Sequence, residues 1–245
     1  MANFYQYQLY VVRHGQTEAN CDGVLQGRLD GELTDLGLRQ ATLLGAYLKK
    51  QDVTFQQVHC SPLRRARDTA RNILNKMDQD HLLDSLVLDP RLEERSYGQY
   101  EGAPVSYVRG LARERGLLSF QFNPATAETT QAMRSRIWSF FSQLSTDMLH
   151  GNLSDSLKEN AAIGPSKKEE KDKKDNEDDR EVSKADIPGG KGSLIEVSPN
   201  TGASAFQVLM DEKSGKITAV KCLSLHSTNH LKLENAEREE ETDGV

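Results

Sequence analysis

Apolar positions along this chain fall into two rhythms. Leu9-Tyr10-Val11-Val12 is a short continuous run, the pattern of a buried strand covered on both faces. Leu38, Ala41, Leu44 and Leu48 recur instead at helical spacing, with Thr34 placed to cap, Asp35 in the first turn and Lys49-Lys50 in the last. A second short strand is expected over 57–60. Ser61 as cap and Pro62 at the first helical position then predict a helix running to about Asn75. A third strand is expected over 85–88 and a short helix over 105–115. Met133, Ile137, Phe140, Phe141 and Leu144 form an apolar stripe along a longer helix over 128–150, read as core contact.

The rhythm then stops. Residues 154–184 are dominated by Lys, Glu, Asp and Asn, as in Lys167-Lys168-Glu169-Glu170-Lys171-Asp172. Such a segment buries too little surface to offset its ordering entropy, so a solvated loop or linker is expected. Strands are expected again over 193–198, 203–210 and 216–225, with a hairpin turn at 211–215 and an acidic, frayed tail beyond 233.

Composition narrows the classes. The 245 residues suffice for one sizeable domain, while 36% hydrophobic content is low for a chain that folds throughout. A net charge of −6 argues against a general nucleic-acid binder. Cys21, Cys60 and Cys222 are widely spaced and odd in number, the pattern of reduced intracellular thiols and not of a metal site. The first ten residues lack the basic and apolar regions of a signal peptide, and no run is long enough to span a bilayer. A soluble, cytoplasmic protein is the expectation.

The opening strand ends in Arg13-His14-Gly15, a cation and an imidazole delivered where open α/β sheets place their ligands. The chemistry this invites is phosphoryl transfer to histidine, with Arg13 gripping the anion while a ring nitrogen of His14 attacks phosphorus. The Ser61-Pro62 helix start carries Arg64, Arg65 and Arg67, cations that oppose the macrodipole unless an anion binds there. Arg65 is the expected phosphate ligand; Arg64 and Arg67 are expected to be solvated. Glu93 and Glu94 precede a turn, and either carboxyl beside a phosphate pocket would have its pKa raised and could protonate a leaving alkoxide. Gln26 and Gly27 offer an amide and an open backbone, although an ordinary surface loop has the same composition.

Taken together these pieces resemble the histidine phosphatase superfamily. The matching residues are Val11-Val12-Arg13-His14-Gly15-Gln16-Thr17-Glu18-Ala19-Asn20, Leu25-Gln26-Gly27 and Leu33 to Ala41. Ser61 to Thr69, Leu92 to Gly98 and Glu101-Gly102 follow in order. Phe120 to Thr129 and Glu196 to Gly202 look most like TIGAR-type fructose-2,6-bisphosphatases. The resemblance implies His14 as nucleophile and Glu94 as proton donor and base. It implies Arg13, Arg65 and Asn20 around the phosphoryl group, Gln26 and Gly27 on the substrate side, and no metal or cofactor. The implied fold is α/β: a three-layer α/β/α sandwich of the phosphoglycerate-mutase type, with a mostly parallel central sheet.

Two departures qualify that expectation. Asn123 to Glu128 replaces the family's Pro-Gly-Gly-Glu. The family's second histidine, in a Ser-His-Gly ending a later strand, has no counterpart: besides His14-Gly15 the only His-Gly pair is His150-Gly151, read as a helix terminus. His59, His81, His226 and His230 are likewise not expected in the pocket. The expected organisation is a core over 1–150 lacking that strand-helix unit, a charged insertion over 151–192, strands over 193–232 completing the same domain, and a tail over 233–245. The expected activity is hydrolysis of a small phosphorylated metabolite, impaired by the missing histidine, with no nucleic-acid or membrane partner. The alternative is a catalytically inactive phosphate-binding or interaction protein.

Overall fold

The computed structural model of the chain describes residues 4–150, 199–213 and 216–231. The expected insertion over 151–192, the strand over 193–198 and the tail beyond 233 lie outside the described residues. The elements are β1 (Phe4–Val12), α1 (Glu18–Cys21), α2 (Asp35–Lys50), β2 (His59–Cys60), α3 (Arg64–Lys76), β3 (Val87–Leu88), α4 (Val105–Glu114), α5 (Thr130–His150), β4 (Ala203–Asp211) and β5 (Ile217–Ser227), with single 3₁₀ turns between several of them.

Local chemistry sets most of these boundaries. Thr34 caps α2 as expected, its hydroxyl accepting the Gly37 N–H at 3.0 Å. Thr17 and Asn20 form a reciprocal capping box that starts α1 at once after the Arg-His-Gly tip. The third helix differs from expectation. It begins at Arg64, after Leu63 in an extended conformation with no capping side chain, and Ser61 reaches only the Leu63 N–H at 3.4 Å. Arg64 is exposed as expected, paired with Glu32 and Asp68. Arg67, expected in solvent, is instead partly buried, with its Nε enclosed.

The chain divides into two compact units. Of the described residues, the first gathers 4–10, 145–150, 204–213 and 216–225, and carries most of the three-stranded sheet, ordered β1-β4-β5. This sheet is antiparallel, so the described strands form a mixed arrangement in place of the mostly parallel central sheet expected. The cause is local: β4 and β5 are joined by a tight turn in which the Asp211 N–H donates to the Lys216 carbonyl, and so short a link cannot make a parallel crossover. Only β2 and β3 pair in parallel, with His59 opposite Val87 and Cys60 opposite Leu88, in a separate two-stranded sheet. Among the described residues β1 is therefore an edge strand, and Val11, expected to be covered, is 45% exposed.

Of the described residues, the second unit gathers 11–144, 199–203 and 226–231. Its core has two parts. Ala41, Leu44 and Leu48 of α2 are buried, as are Ile73 and Leu74 of α3. Val108 and Ala112 of α4 enclose Phe122. Leu38, the outermost member of the α2 stripe, is exposed. No helix among the described residues is long and apolar enough to cross a membrane.

Candidate active site

Arg13, His14 and Gly15 follow directly on β1 and are fixed by backbone contacts. The Gly15 N–H donates to the Thr69 hydroxyl at 2.9 Å, and that hydroxyl donates to the Arg65 carbonyl at 2.7 Å. Thr69, one turn beyond Arg65 on α3, thus ties the His14 loop to the helix that carries the second arginine. Its i+4 spacing from Arg65 was the available sequence signal. Further along, the Thr34 N–H donates to the Gln16 carbonyl at 2.9 Å, and the start of α2 packs against the loop.

The His14 ring is held in one tautomer. Its Nδ1 lies 2.7 Å from the Gly15 carbonyl, which can only accept, so Nδ1 carries the proton and Nε2 the lone pair. Burial pushes the imidazole pKa down from 6.5 to about 4, and the Arg65 and Arg13 guanidinia push the same way against the Gly15 hydrogen bond. His14 is neutral at pH 7 with Nε2 unprotonated.

Arg65 is 2% exposed, deeply placed for a cation. Two of its N–H groups donate at 2.8 Å, one to the Gly27 carbonyl and one to the Leu29 carbonyl. The fork has five donors, so three remain for an anion. Burial lowers its pKa, opposed by the carboxylates of Glu94, Asp30 and Glu101. Arg13 is lowered by burial too, with Glu94 raising it and Arg65 lowering it. Two guanidinia and one carboxylate therefore act on one another around His14.

Glu94 occupies a different setting from the one expected. Its side chain is exposed, not buried in the pocket, and one carboxylate oxygen accepts the Arg95 N–H at 3.0 Å. Its main chain is the anchored part. The Glu94 carbonyl accepts from Arg28 Nε at 3.4 Å and Arg136 Nη2 at 3.3 Å. Both arginines pair with Glu128, Arg136 through two bonds of 2.6 and 2.9 Å and Arg28 at 3.5 Å. Arg136 also binds the Arg91 carbonyl at 2.6 Å. Glu128 closes the segment that departs from the family's Pro-Gly-Gly-Glu, and its N–H donates to the Ser96 carbonyl at 2.9 Å. The Arg136 clamp on Glu128 holds that carboxyl below its usual range.

The remaining expected residues are nearby but partly committed. Asn20 Oδ1 accepts the Thr17 N–H at 3.2 Å and Asn200 Nδ2 at 3.0 Å. Gly27 has φ +53, and a Cβ there would meet the Glu101 carboxylate at 2.5 Å, so glycine is required. Gln26 Oε1 is enclosed without a hydrogen-bond partner among the described residues. Asn200 and its neighbour Thr201, whose N–H donates to the His14 carbonyl at 3.2 Å, lie in the Glu196 to Gly202 stretch that carries the resemblance but are not expected at the site from sequence, being some 180 positions away. His230, expected in a polar tail, is instead fully buried beside Thr201. Among the described residues no group of three His, Cys, Asp or Glu side chains could hold a metal ion.

An α/β fold with a half-buried, neutral histidine that feels two arginines is a setting suited to phosphoryl transfer. The family comparison makes that concrete: residues 9–152 match the histidine phosphatase superfamily (branch 1), and the chain belongs to that family. A probable fructose-2,6-bisphosphatase TIGAR A from Danio rerio is 40% identical over 135 residues, 55% of this chain and 52% of its own. A fructose-2,6-bisphosphatase TIGAR from Xenopus tropicalis is 28% identical over 95% of this chain and 97% of its own. The chain spans about half of the first of these relatives and nearly all of the second. A crystal structure of a phosphoglycerate mutase from Bacillus anthracis superposes with a TM-score of 0.57 at 18% identity, covering 94% of this chain and 96% of that one. That likeness establishes the phosphoglycerate-mutase-like fold.

Proposed function

We propose that the chain is a sugar-phosphate phosphatase of the fructose-2,6-bisphosphatase type, acting on a cytoplasmic metabolite through a phosphohistidine at His14. The observation that carries the reading is the tautomer: Nδ1–H is spent on the Gly15 carbonyl, so a neutral ring presents Nε2 as a lone pair. Arg13 and the three unspent donors of Arg65 take the phosphoryl oxygens, with Asn20 beside them. Nε2 attacks phosphorus, and the bond from phosphorus to the sugar oxygen breaks. Glu94 protonates the departing alkoxide. The resulting carboxylate takes a proton from water, whose oxygen attacks the phosphohistidine; phosphate leaves and His14 returns to its neutral form.

Gln26 and Gly27 line the substrate side in this reading. That place rests on the resemblance of Leu25-Gln26-Gly27 to the family, and the enclosed Gln26 Oε1 has to turn outward to accept from a sugar hydroxyl. The choice of fructose 2,6-bisphosphate rests on the TIGAR relatives, and the exposed Glu94 side chain leaves room for a sugar next to the acid. Because the sequence has no counterpart of the family's Ser-His-Gly histidine to donate to the phosphoryl group, turnover in this reading runs about a hundred- to a thousand-fold below that of two-histidine members.

The test is phosphate release from fructose 2,6-bisphosphate by the purified full chain, with His14→Ala as control. Release that vanishes in His14→Ala supports the proposal. Folded protein that binds phosphate but releases none would instead identify an inactive phosphate-binding protein.

A further inference from the structure

Behind the Arg-His-Gly tip lies a buried group that the proposed reaction does not use. Thr201 is 0% exposed and has φ +52, a left-handed conformation that a β-branched residue adopts only under constraint. That conformation has consequences on both sides. The Thr201 N–H donates to the His14 carbonyl at 3.2 Å, and beside it the Arg13 N–H donates to the Gly202 carbonyl at 3.2 Å. On the other side Asn200 Nδ2 donates to Asn20 Oδ1 at 3.0 Å. One short loop therefore grips the backbone of the nucleophile and a side chain expected at the phosphate.

What holds Thr201 is His230. The ring is 1% exposed, and its Nε2 lies 2.9 Å from the Thr201 hydroxyl oxygen. That hydroxyl also donates to the Asn200 carbonyl at 2.8 Å. A hydroxyl has a single proton, so with that proton on Asn200 the ring must be the donor: His230 Nε2–H to Thr201 Oγ1, and Thr201 Oγ1–H to the Asn200 carbonyl. The chain of donors runs one way and fixes the hydroxyl rotamer of the strained residue. Nε2 is committed to Thr201, so the ring acts on the site only through the loop.

We infer that His230 is a positioning residue for His14, holding Thr201 in the left-handed conformation from which its N–H fixes the His14 carbonyl and Asn200 fixes Asn20. The consequence for turnover rests on the proposed phosphatase reading; the structural link does not. Small misplacements of a nucleophile are costly, so His230→Ala is expected to lower kcat by about ten- to a hundred-fold, with KM changed by less than about threefold. His230→Gln places an amide N–H where Nε2–H stands and restores most of the rate. Thr201→Val, which keeps the shape and removes the hydroxyl, reproduces His230→Ala, and the double variant is no slower than either single one.

Amide hydrogen exchange on the full chain separates the two layers. Exchange at Thr201 is expected to be at least about tenfold faster in His230→Ala and Thr201→Val than in the natural protein, and to slow again in His230→Gln. This holds even if fructose 2,6-bisphosphate is not hydrolysed, in which case the phosphatase reading falls and the positioning link stands. Unchanged Thr201 exchange in folded His230→Ala, or an unchanged kcat with a risen KM, overturns the inference. Should His230→Ala fail to fold, Thr201→Val alone carries both readouts.

Discussion

Gly15 and Gly37 meet backbone to backbone: a Cβ added at Gly15 would lie 2.5 Å from the Gly37 carbonyl oxygen, and one at Gly37 would lie 2.1 Å from the Gln16 carbonyl oxygen. Neither neighbour is a side chain that could swing away. The start of α2 is thereby pressed against the residues that follow His14, and the position of His14 depends on two absent methyl groups. Gly37→Ala is expected to destabilise the fold by about 1–3 kcal/mol and to lower kcat in the protein that remains folded. Thermal melting and kinetics on the same samples check this; an unaltered melting temperature would show that the two segments are not in contact.

Acid should act through two histidines. Folded His14 and His230 both have pKa values of about 4, against 6.5 when exposed, each lowered first by burial. Between those values the unfolded chain binds the protons that the folded chain refuses. Stability is thus fully present above about pH 6.5 and is lost as pH falls toward 4, by of order 3 kcal/mol for each ring. Denaturant titrations across that window should show a shallower loss in His230→Gln than in the natural protein. An equal loss in both would mean that His230 is not buried. The acid limb of kcat/KM set by His14 is expected near pH 4, not near 6.5.

Arg65→Lys separates charge from geometry. Lysine keeps the cation and loses the planar fork that reaches the Gly27 and Leu29 carbonyls while leaving donors for an anion. A fall of about a hundredfold or more in kcat/KM is expected, with weaker binding of vanadate or inorganic phosphate. Arg64→Ala, which removes an exposed pair with Glu32, is the contrasting case and should stay within about 0.5 kcal/mol of the natural stability.

The Glu128–Arg136 pair is mostly buried, and breaking it should be felt at Glu94. Glu128→Gln removes the charge that two arginines share and leaves Arg136 facing a neutral amide, while Arg28 keeps Glu93 at 3.1 Å. A destabilisation of about 3 kcal/mol is expected, with kcat lowered in the folded fraction because the Glu94 main chain loses its clamp. Natural stability in Glu128→Gln would assign the anchoring of Glu94 to other contacts.

How much of this was legible in the sequence depends on distance along the chain. His14 and Arg65, 51 positions apart, were brought together only by the family resemblance, whereas Thr34 capping α2 and the buried stripe of Ala41, Leu44 and Leu48 could be read from short-range spacing. Sheet direction could not, because β1 pairs with a strand some two hundred residues away and the hairpin after it reverses the ladder. The setting of Glu94 was misjudged for a related reason: its anchoring runs through its carbonyl to Arg28 and Arg136, contacts that no local motif encodes. His230 shows the same limit. Thr228 and Asn229 before it are polar, and its burial comes from contacts distant in sequence, Thr201 and the Tyr47 ring.

The central claim is covalent, and the most direct measurement traps the covalent state. The full chain is mixed with radiolabelled fructose 2,6-bisphosphate, quenched in alkali, which preserves phosphohistidine, and digested for peptide mapping. Label on the peptide containing His14, absent in His14→Ala and stable to alkali but lost in acid, is the expected result. Phosphate release without label on His14, or label that persists in His14→Ala, would contradict the account.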